Sequence, residues 1–285
     1  MRQRRLCFPF LNDSVRKSFK RFPTTIEWDR FRKYARRMQK LEECGTLNVL
    51  SPEVFSVMQP RTTNDPFLPN LNTLHLSMIE GPFVPFISLF LSPRTTSILL
   101  HFKFTLSKAT VTSAVTTLPT LNLQAISLYL HSRDPTVAGA VSETVLATNR
   151  NTLQRFHLDS PLIKEASKVV YRLPNLRDLR VVIERGASLP SASLPNLTRL
   201  EIRCDDESGW PGLFHRATFR KLDSVMFVHR SKEIGDFLGT FERVALSSSV
   251  QDTLSEFYFS TSSSWNPNYS SLLRSEERRV GKECA

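Results

Sequence analysis

The sequence predicts an α/β fold in which short parallel strands alternate with helical segments. One pattern occurs twice in succession, as L-P-N-L-R-D-L-R-V from Leu173 and as L-P-N-L-T-R-L-E-I from Leu194. The alternating apolar residues at the end of each copy are typical of strands. Ser-Pro and Asp-Pro pairs between copies are typical of helix starts. Strand, helix and strand in this order give a parallel sheet.

The pattern has apolar residues at its first, fourth and sixth positions, and it occurs eight times in 285 residues. Its copies begin 21 to 32 residues apart, close to the spacing of about 20–29 residues in leucine-rich repeats. We therefore predict a leucine-rich-repeat solenoid, with a curved parallel sheet and helices on its convex side. Met38–Leu41 is an imperfect ninth copy. The eight copies begin at Leu71, Thr95, Leu123, Leu153, Leu176, Leu197, Leu222 and Leu254, so that Thr95 stands where leucine is expected.

Four segments are expected along the chain: a basic N-terminal arm over residues 1–23, a capping helix over 24–44, the solenoid over 45–273 and a tail over 274–285. Thr24 and Glu27 have the spacing of a capping box. The helix has an apolar face that we expect to cover the first repeat, formed by Trp28, Phe31, Ala35 and Met38.

The tail breaks the repeat pattern. Arg274–Cys284 resembles the translation of a common sequencing adapter rather than protein-coding sequence. We expect the natural chain to continue past Leu273, and the last repeat here to lack its C-terminal cap.

Proline pairs predict where the connecting helices begin. In each pair a capping residue precedes a proline suited to the first helical turn. The pairs are Ser51-Pro52, Asp134-Pro135 and Ser160-Pro161, and Ser231 opens a further helix. The proline-rich stretch Gly81–Pro93 is less regular.

The positive charge of the chain is concentrated near its start. The net charge is +11, of which residues 1–40 hold +10. Five basic residues lie on the predicted capping helix: Arg30, Arg32, Lys33, Arg36 and Arg37. They form either a solvated helix face or a patch for nucleic acid or an acidic partner. We favour the solvated face, because no basic residues elsewhere extend the patch.

No motif for catalysis or cofactor binding is present in the sequence. It has no glycine-rich phosphate loop and no hydrolase or metalloprotease signature. The four cysteines and six histidines are scattered, without metal-ligand spacing. We predict a protein that is not an enzyme and has no cofactor, no metal site and no membrane span. Unpaired cysteines predict an intracellular location, in the cytoplasm or the nucleus.

The residues between the repeat leucines are the candidate binding residues, because alternation places them on the concave face of the sheet. Three adjacent repeats place charged residues there in two rows. One row is Arg155, Asp178 and Arg199, and the other is His157, Arg180 and Glu201. These six residues form either an alternating-charge ladder that keeps the sheet soluble or a protein-recognition patch.

The chain resembles fungal, basidiomycete-type F-box/leucine-rich-repeat proteins from Thr24 to Leu273. The resemblance is carried by W-D-R-F-R-K-Y-A-R-R-M-Q-K-L from Trp28, by L-P-N-L-N-T-L-H-L and by F-L-S-P-R-T-T-S-I-L-L. It implies the substrate receptor of an SCF-type ubiquitin ligase, in which an F-box holds the ligase adaptor and the repeats select the target.

Two features depart from that family. Only about twenty unrelated basic residues precede Thr24, whereas an F-box needs about forty, and the Asn/Cys ladder of typical repeats is missing, with Asp205 as its nearest analogue. We predict a non-catalytic protein-recognition module that binds a target on the concave face, and the adaptor only if an upstream F-box exists. The alternatives are nucleic-acid association through Arg2–Lys40 and a free-standing repeat scaffold.

Overall fold

A computed structural model describes residues 21, 23–43, 51–58, 66–102, 109–110, 121–130, 145–161, 169–170, 172–183, 194–204, 219–229 and 253–261. The chain divides into two compact units, Met1–Asn122 and Leu123–Ala285. Most of the predicted basic arm, the tail, the helix start at Asp134-Pro135 and the helix from Ser231 lie outside the described residues. None of the described helices is long and apolar enough to cross a membrane.

The first described helix of the first unit is α1, Thr25–Ala35, and its predicted capping box is confirmed. Glu27 N donates to Thr24 Oγ1, and Thr24 N donates to the Glu27 carboxylate. A hydrogen bond and the charge of Arg21, together with the Thr24 backbone, lower the pKa of Glu27 to about 2. The predicted apolar face is buried at Trp28, Phe31 and Ala35. The predicted extent of the helix, 24–44, is too long: α1 ends at Ala35, so Met38 lies beyond it and is half-buried, and residues 40–43 form a strand.

Three parallel strands of the first unit pair in chain order: β1 Lys40–Glu43, β2 Thr73–Ile79 and β3 Ser97–Phe102. Strand β1 pairs Leu41 with Leu74, which confirms the imperfect ninth copy. Helix α2, Pro52–Met58, begins at the predicted Ser51-Pro52 pair. The stretch predicted to be irregular contains a 3₁₀ helix, Gly81–Phe90.

Aromatic side chains form much of the core of the first unit. Phe31 stacks on Phe67 with ring centroids 4.6 Å apart, and Phe67 meets the edge of Phe90. Phe55 of α2 packs against Phe83 and Phe90 of the 3₁₀ helix. These contacts join α1 and α2 to the segment between β2 and β3.

The described residues of the second unit contain six parallel strands that also pair in chain order. They are β4 Ala125–Tyr129, β5 Arg155–Pro161, β6 Asp178–Ile183, β7 Arg199–Cys204, β8 Ser224–His229 and β9 Glu256–Thr261. All eight predicted copies therefore contain a strand. Parallel strands with connecting helices confirm the α/β class.

One predicted helix start is wrong. Ser160 and Pro161 are the last residues of β5 instead of opening a helix. The β5–β6 register shifts between His157 and Pro161, so the chain runs extended through an irregularity where proline is tolerated. Residues 162–168, which follow, lie outside the described part.

The apolar triads face the interior, as the alternation predicts. In seven copies the residues at the fourth and sixth positions, fourteen in all, are at most 1% exposed: Leu74, Leu76, Ile98, Leu100, Ile126, Leu128, Phe156, Leu158, Leu179, Val181, Leu200, Ile202, Val225 and Phe227. Each fully buried side chain of this size contributes roughly 1.5–3 kcal/mol. The repeated leucines therefore supply a continuous core within each unit.

Thr95, which breaks the pattern, is fully buried, and its hydroxyl donates to the carbonyl of Leu71 at 3.1 Å. Leu71 is the equivalent residue of the preceding copy. The hydroxyl also accepts a hydrogen bond from Ser92 N at 3.1 Å. Threonine is tolerated here because both capacities of its hydroxyl are used.

Asparagines of the L-P-N-L motif connect neighbouring copies in a way the sequence did not predict. Asn70 donates to Arg36 O at 2.6 Å, Asn175 to Asn151 O at 2.7 Å and Asn196 to Pro174 O at 2.8 Å. Lys221 occupies the asparagine position in the next copy and donates to Asn196 Oδ1. These bonds form a ladder just before the strands, whereas Asp205 lies outside the described residues.

Candidate functional site

The polar face is the side of the β4–β9 sheet opposite the buried leucines. The strand register places Arg155, Asp178 and Arg199 side by side, and it pairs His157 with Arg180 and Arg180 with Glu201. The residues within each predicted row are therefore confirmed as neighbours on adjacent strands. The rows continue across β8 and β9, where Met226 pairs with Tyr258.

Asp178 is the centre of the first row. Its Oδ2 lies 3.2 Å from Arg155 Nε, and its Oδ1 lies 2.9 Å from His157 Nε2. Ser127 Oγ lies 3.3 Å from the other ring nitrogen of His157. Burial raises the pKa of Asp178, but the hydrogen bond and charge of His157 and the charges of Arg155 and Arg199 outweigh it, so the pKa lies below its usual value. Asp178 is thus held as a carboxylate.

Arg180 connects the two neighbouring strands in the second row. Its Nε lies 2.6 Å from Glu201 Oε2, close enough for an ion pair although the angles are poor for a hydrogen bond. Its Nη1 donates to the hydroxyl of Tyr129 at 3.3 Å. Because β4, β6 and β7 each supply one of these residues, the contact fixes the Arg180 side chain across the sheet.

The network continues to two residues that the sequence analysis missed. Arg203 Nε lies 2.8 Å from Glu201 Oε1, and Arg203 Nη1 lies 3.3 Å from Asp159 Oδ1. The exposed fractions of the side chains are 7% for Arg203, 9% for Glu201 and 0% for Asp159. Alternation could have found them, because each lies two residues beyond a predicted site residue. The prediction stopped at the last apolar residue of each copy.

The polar face therefore changes along the strands. At the strand starts Arg155 is 54% exposed, and Arg199 is also exposed. Toward the strand ends Glu201, Arg203 and Val182 are buried. Of the six predicted site residues, Glu201 is the one whose side chain is less than a tenth exposed, and it contacts the more exposed Arg180.

A shallow polar depression adjoins the exposed end. It is lined by Gln154, Asn175, Arg177 and Asn196. Arg177 is exposed and precedes Asp178 in the chain. The three exposed arginines of this end, Arg155, Arg177 and Arg199, come from three successive copies. Guanidinium and amide donors in this arrangement suit the binding of anionic groups.

The basic residues predicted on the capping helix belong to the first unit. Arg30, Lys33, Arg36 and Arg37 are exposed, whereas Arg32 is half-buried. Ile26 and Tyr34 are exposed on the same helix, at 76% and 52%. The helix and the two residues that follow it, Arg36 and Arg37, thus present a basic surface with two large hydrophobic side chains.

The described residues contain no group of three or more His, Cys, Asp or Glu side chains that could hold a metal ion. Comparisons with protein-family models, curated proteins and solved structures give no match.

Proposed function

We propose that the protein is a non-catalytic protein-recognition module of the leucine-rich-repeat type, which binds its target on the polar face of the second unit. The observation that carries the proposal is the graded charge network from Arg155 to Arg203. Its exposed end presents arginines from three successive copies. At its other end Glu201, Arg203 and Asp159 are buried and paired with one another.

Preorganisation supports binding over a purely solubilising role. An exposed ladder of ion pairs contributes only ~0–1 kcal/mol for each pair and needs no buried members. Here Glu201 lies between Arg180 and Arg203, and Asp178 contacts both Arg155 and His157. Side chains held in this way lose little further freedom when a partner binds.

The repeat spacing and the hydrogen bonding support the leucine-rich-repeat assignment. The copies recur every 21–32 residues. In copy after copy, one carbonyl before the strand accepts two N–H groups from the next copy, as at Asn72, Gln154, Arg177 and Thr198. Repeated units that contact their neighbours in this way are typical of solenoids, whose concave faces bind proteins.

The family resemblance extends the proposal to a role in a ubiquitin ligase. In that role the polar face selects the target, and the adaptor is contacted only if an F-box lies upstream of this sequence. A pull-down with the ligase adaptor, using a chain extended upstream to its true start, tests this step. Failure of the extended chain to bind the adaptor would remove the ligase role and leave a free-standing recognition scaffold.

The binding role is tested by partner capture with three forms of the protein. The first is the wild type, and the second reverses the face with Arg155→Glu and Arg199→Glu. The third is a matched control with Arg150→Glu and Arg172→Glu, two exposed arginines of the same unit outside the two rows. We expect the reversed-face form to capture at least about tenfold less of each specific partner than the wild type does. The control form should capture as much as the wild type. Equal capture by all three forms would refute binding through this face.

A second candidate function is nucleic-acid association through the basic surface of α1 and the two residues that follow it. It is favoured by the exposure of Arg30, Lys33, Arg36 and Arg37 beside Tyr34. Such binding weakens steeply as salt increases. Replacing the four basic residues with glutamine should abolish retention on RNA or DNA, and unchanged retention would exclude this role.

A further inference from the structure

We infer that the polar face binds an extended acidic peptide segment whose carboxylate side chain contacts Arg155 and Arg199 and whose apolar side chain, about four residues away, contacts Met226 and Tyr258. This inference rests on the proposed function and specifies the chemistry of the partner. It follows from the order in which the strand register places charge and apolar surface across β5 to β9.

The acidic subsite lies over β5–β7. Asp178 contacts Arg155 through Nε. Among the described residues, the Nη1 and Nη2 groups of Arg155 and the whole guanidinium of Arg199 have no hydrogen-bonded partner. Two exposed arginines, Arg155 and Arg199, therefore flank one carboxylate, Asp178, whose side chain is only 16% exposed. This excess of positive charge suits a negatively charged side chain.

A carboxylate suits this subsite better than a phosphate group. Asp178 lies in register between Arg155 and Arg199, so any anion bound by both arginines also experiences its negative charge. Arg155, Asp178 and Arg199 together carry +1, which one carboxylate at −1 balances, whereas a phosphorylated side chain at about −1.5 to −2 leaves negative charge in excess and costs more to desolvate. Asp and Glu are therefore the expected anchors.

The apolar subsite lies over β8 and β9. Met226 pairs with Tyr258 in the sheet, and both side chains are half-buried. A methionine beside a tyrosine offers an adaptable apolar surface with one polar end. In the row of Arg155 and Arg199, β9 carries Glu256. Its negative charge disfavours an acidic group at this end, so the peptide has one orientation of its acidic and apolar anchors across the sheet.

The spacing between anchors follows from sheet geometry. From β6 to the midpoint of β8 and β9 is two and a half strand separations of ~4.8 Å, or ~12 Å. The Met226 row lies two residues further along the strands, ~6.6 Å, which makes the anchors ~14 Å apart. An extended chain advances ~3.3 Å per residue, so this span corresponds to about four residues.

The test is selection of short random peptides on the full chain, with counter-selection on the Arg155→Gln, Arg199→Gln variant. We expect enrichment of Asp or Glu separated by about four residues from a large apolar residue. Affinities are then measured by fluorescence anisotropy on a labelled peptide of that form. The comparison peptides replace the acid with lysine, place the two anchors next to each other, or replace the acid with phosphoserine.

The expected result is about tenfold weaker binding for each comparison peptide and for the Arg155→Gln, Arg199→Gln variant. The Arg155→Lys, Arg199→Lys variant retains the charge and should lose less. The Arg150→Gln, Arg172→Gln control should bind as the wild type does. Unfolding curves of each variant separate lost binding from lost folding.

Enrichment of basic or wholly apolar peptides overturns the inference, as does tighter binding of the phosphoserine peptide. If partner capture still depends on Arg155 and Arg199 in that case, the proposed function stands and only the peptide chemistry is wrong. If neither capture nor selection depends on these arginines, both proposals fail.

Discussion

Arg203 Nε lies 2.8 Å from Glu201 Oε1, and both side chains are more than nine-tenths buried. Arg203 also lies 3.3 Å from Asp159, whose side chain is fully buried. Two buried carboxylates therefore share one buried guanidinium. Such groups depend on one another, because removing one partner leaves a charge without compensation in a poorly solvated place.

The first prediction concerns this shared guanidinium. Arg203→Met should lower the free energy of unfolding by about 3–5 kcal/mol, because Asp159 loses the arginine it contacts and Glu201 keeps only Arg180. Urea unfolding followed by circular dichroism measures the change. The control is Arg199→Met on the exposed end, which should stay within about 0.5 kcal/mol of the wild type. Equal losses of stability at both positions would show that burial does not determine how much each arginine contributes to stability.

The second prediction concerns pH. The pKa of Asp178 is lower in the folded protein than its usual value of 3.8. A carboxyl of this kind binds protons less readily when folded, so its stabilising contribution is complete above the unfolded value and is lost as pH falls through the folded value. Stability should therefore decline with an added slope below about pH 4.

Asp178→Asn should remove that added slope while also lowering stability near neutral pH. The measurement is the urea midpoint between about pH 2 and pH 7. Asp29→Asn makes the same charge change on the exposed surface of α1 and serves as the control. An unaltered acid slope in Asp178→Asn would mean that the contacts with His157 and Arg155 do not stabilise the fold.

The sequence predicted the strands well because their signal is simple. Apolar residues that alternate with a period of two indicate a strand with one buried face. The sequence alone therefore assigns Leu179 and Val181 to that face. The same alternation correctly placed Arg155, Asp178 and Arg199 beside one another. Register across a parallel sheet follows from aligning the copies.

The sequence could not predict burial on the opposite face. Glu201 and Arg203 occupy positions of the same parity as exposed Arg199, yet they are buried. Alternation specifies which face a residue takes, whereas burial depends on what packs against that face. Burial is hardest to predict for charged residues, because they are seldom buried unless they are paired, and the sequence does not show the pairing.

Short motifs were poor predictors where the same residues suit two different local structures. Ser160-Pro161 matches a helix start, but it ends β5, because proline is also tolerated at an irregular strand end. The asparagines of L-P-N-L are also typical turn residues. Their hydrogen bonds to the preceding copy depend on how the copies stack, and no single copy contains that information.

The third prediction concerns Thr95, which stands where the repeat pattern has leucine. Thr95→Val preserves shape but removes the acceptor for Ser92 N and one donor to Leu71 O. Ser92 Oγ still donates to that carbonyl, so the main loss is one buried N–H without a partner. We expect a loss of about 1–3 kcal/mol. Thr96→Val, at a half-buried position with a long contact of 3.4 Å to Asn72 O, should cost less. A more stable Thr95→Val variant would contradict this account.

The fourth prediction concerns the asparagine ladder. Asn196 Nδ2 donates to Pro174 O at 2.8 Å, and Asn196 Oδ1 accepts from Lys221 Nζ at 3.0 Å. Asn196→Ala removes both links between neighbouring copies, and each such bond contributes ~0.5–1.5 kcal/mol. We expect the free energy of unfolding to fall by about 1 kcal/mol, which is the lower limit for two such bonds. The reason is that the two bonds are exposed, so water forms hydrogen bonds in their place. Unfolding by urea measures it.

Asn151 provides the matched control for the ladder. It is exposed in the same unit, and its backbone carbonyl, not its side chain, accepts the bond from Asn175. Asn151→Ala should therefore stay within about 0.5 kcal/mol of the wild type. If both alanine variants lose the same stability, the effect comes from the change in residue type rather than from the link between copies. A larger loss for Asn196 alone would assign the difference to its contacts with Pro174 and Lys221.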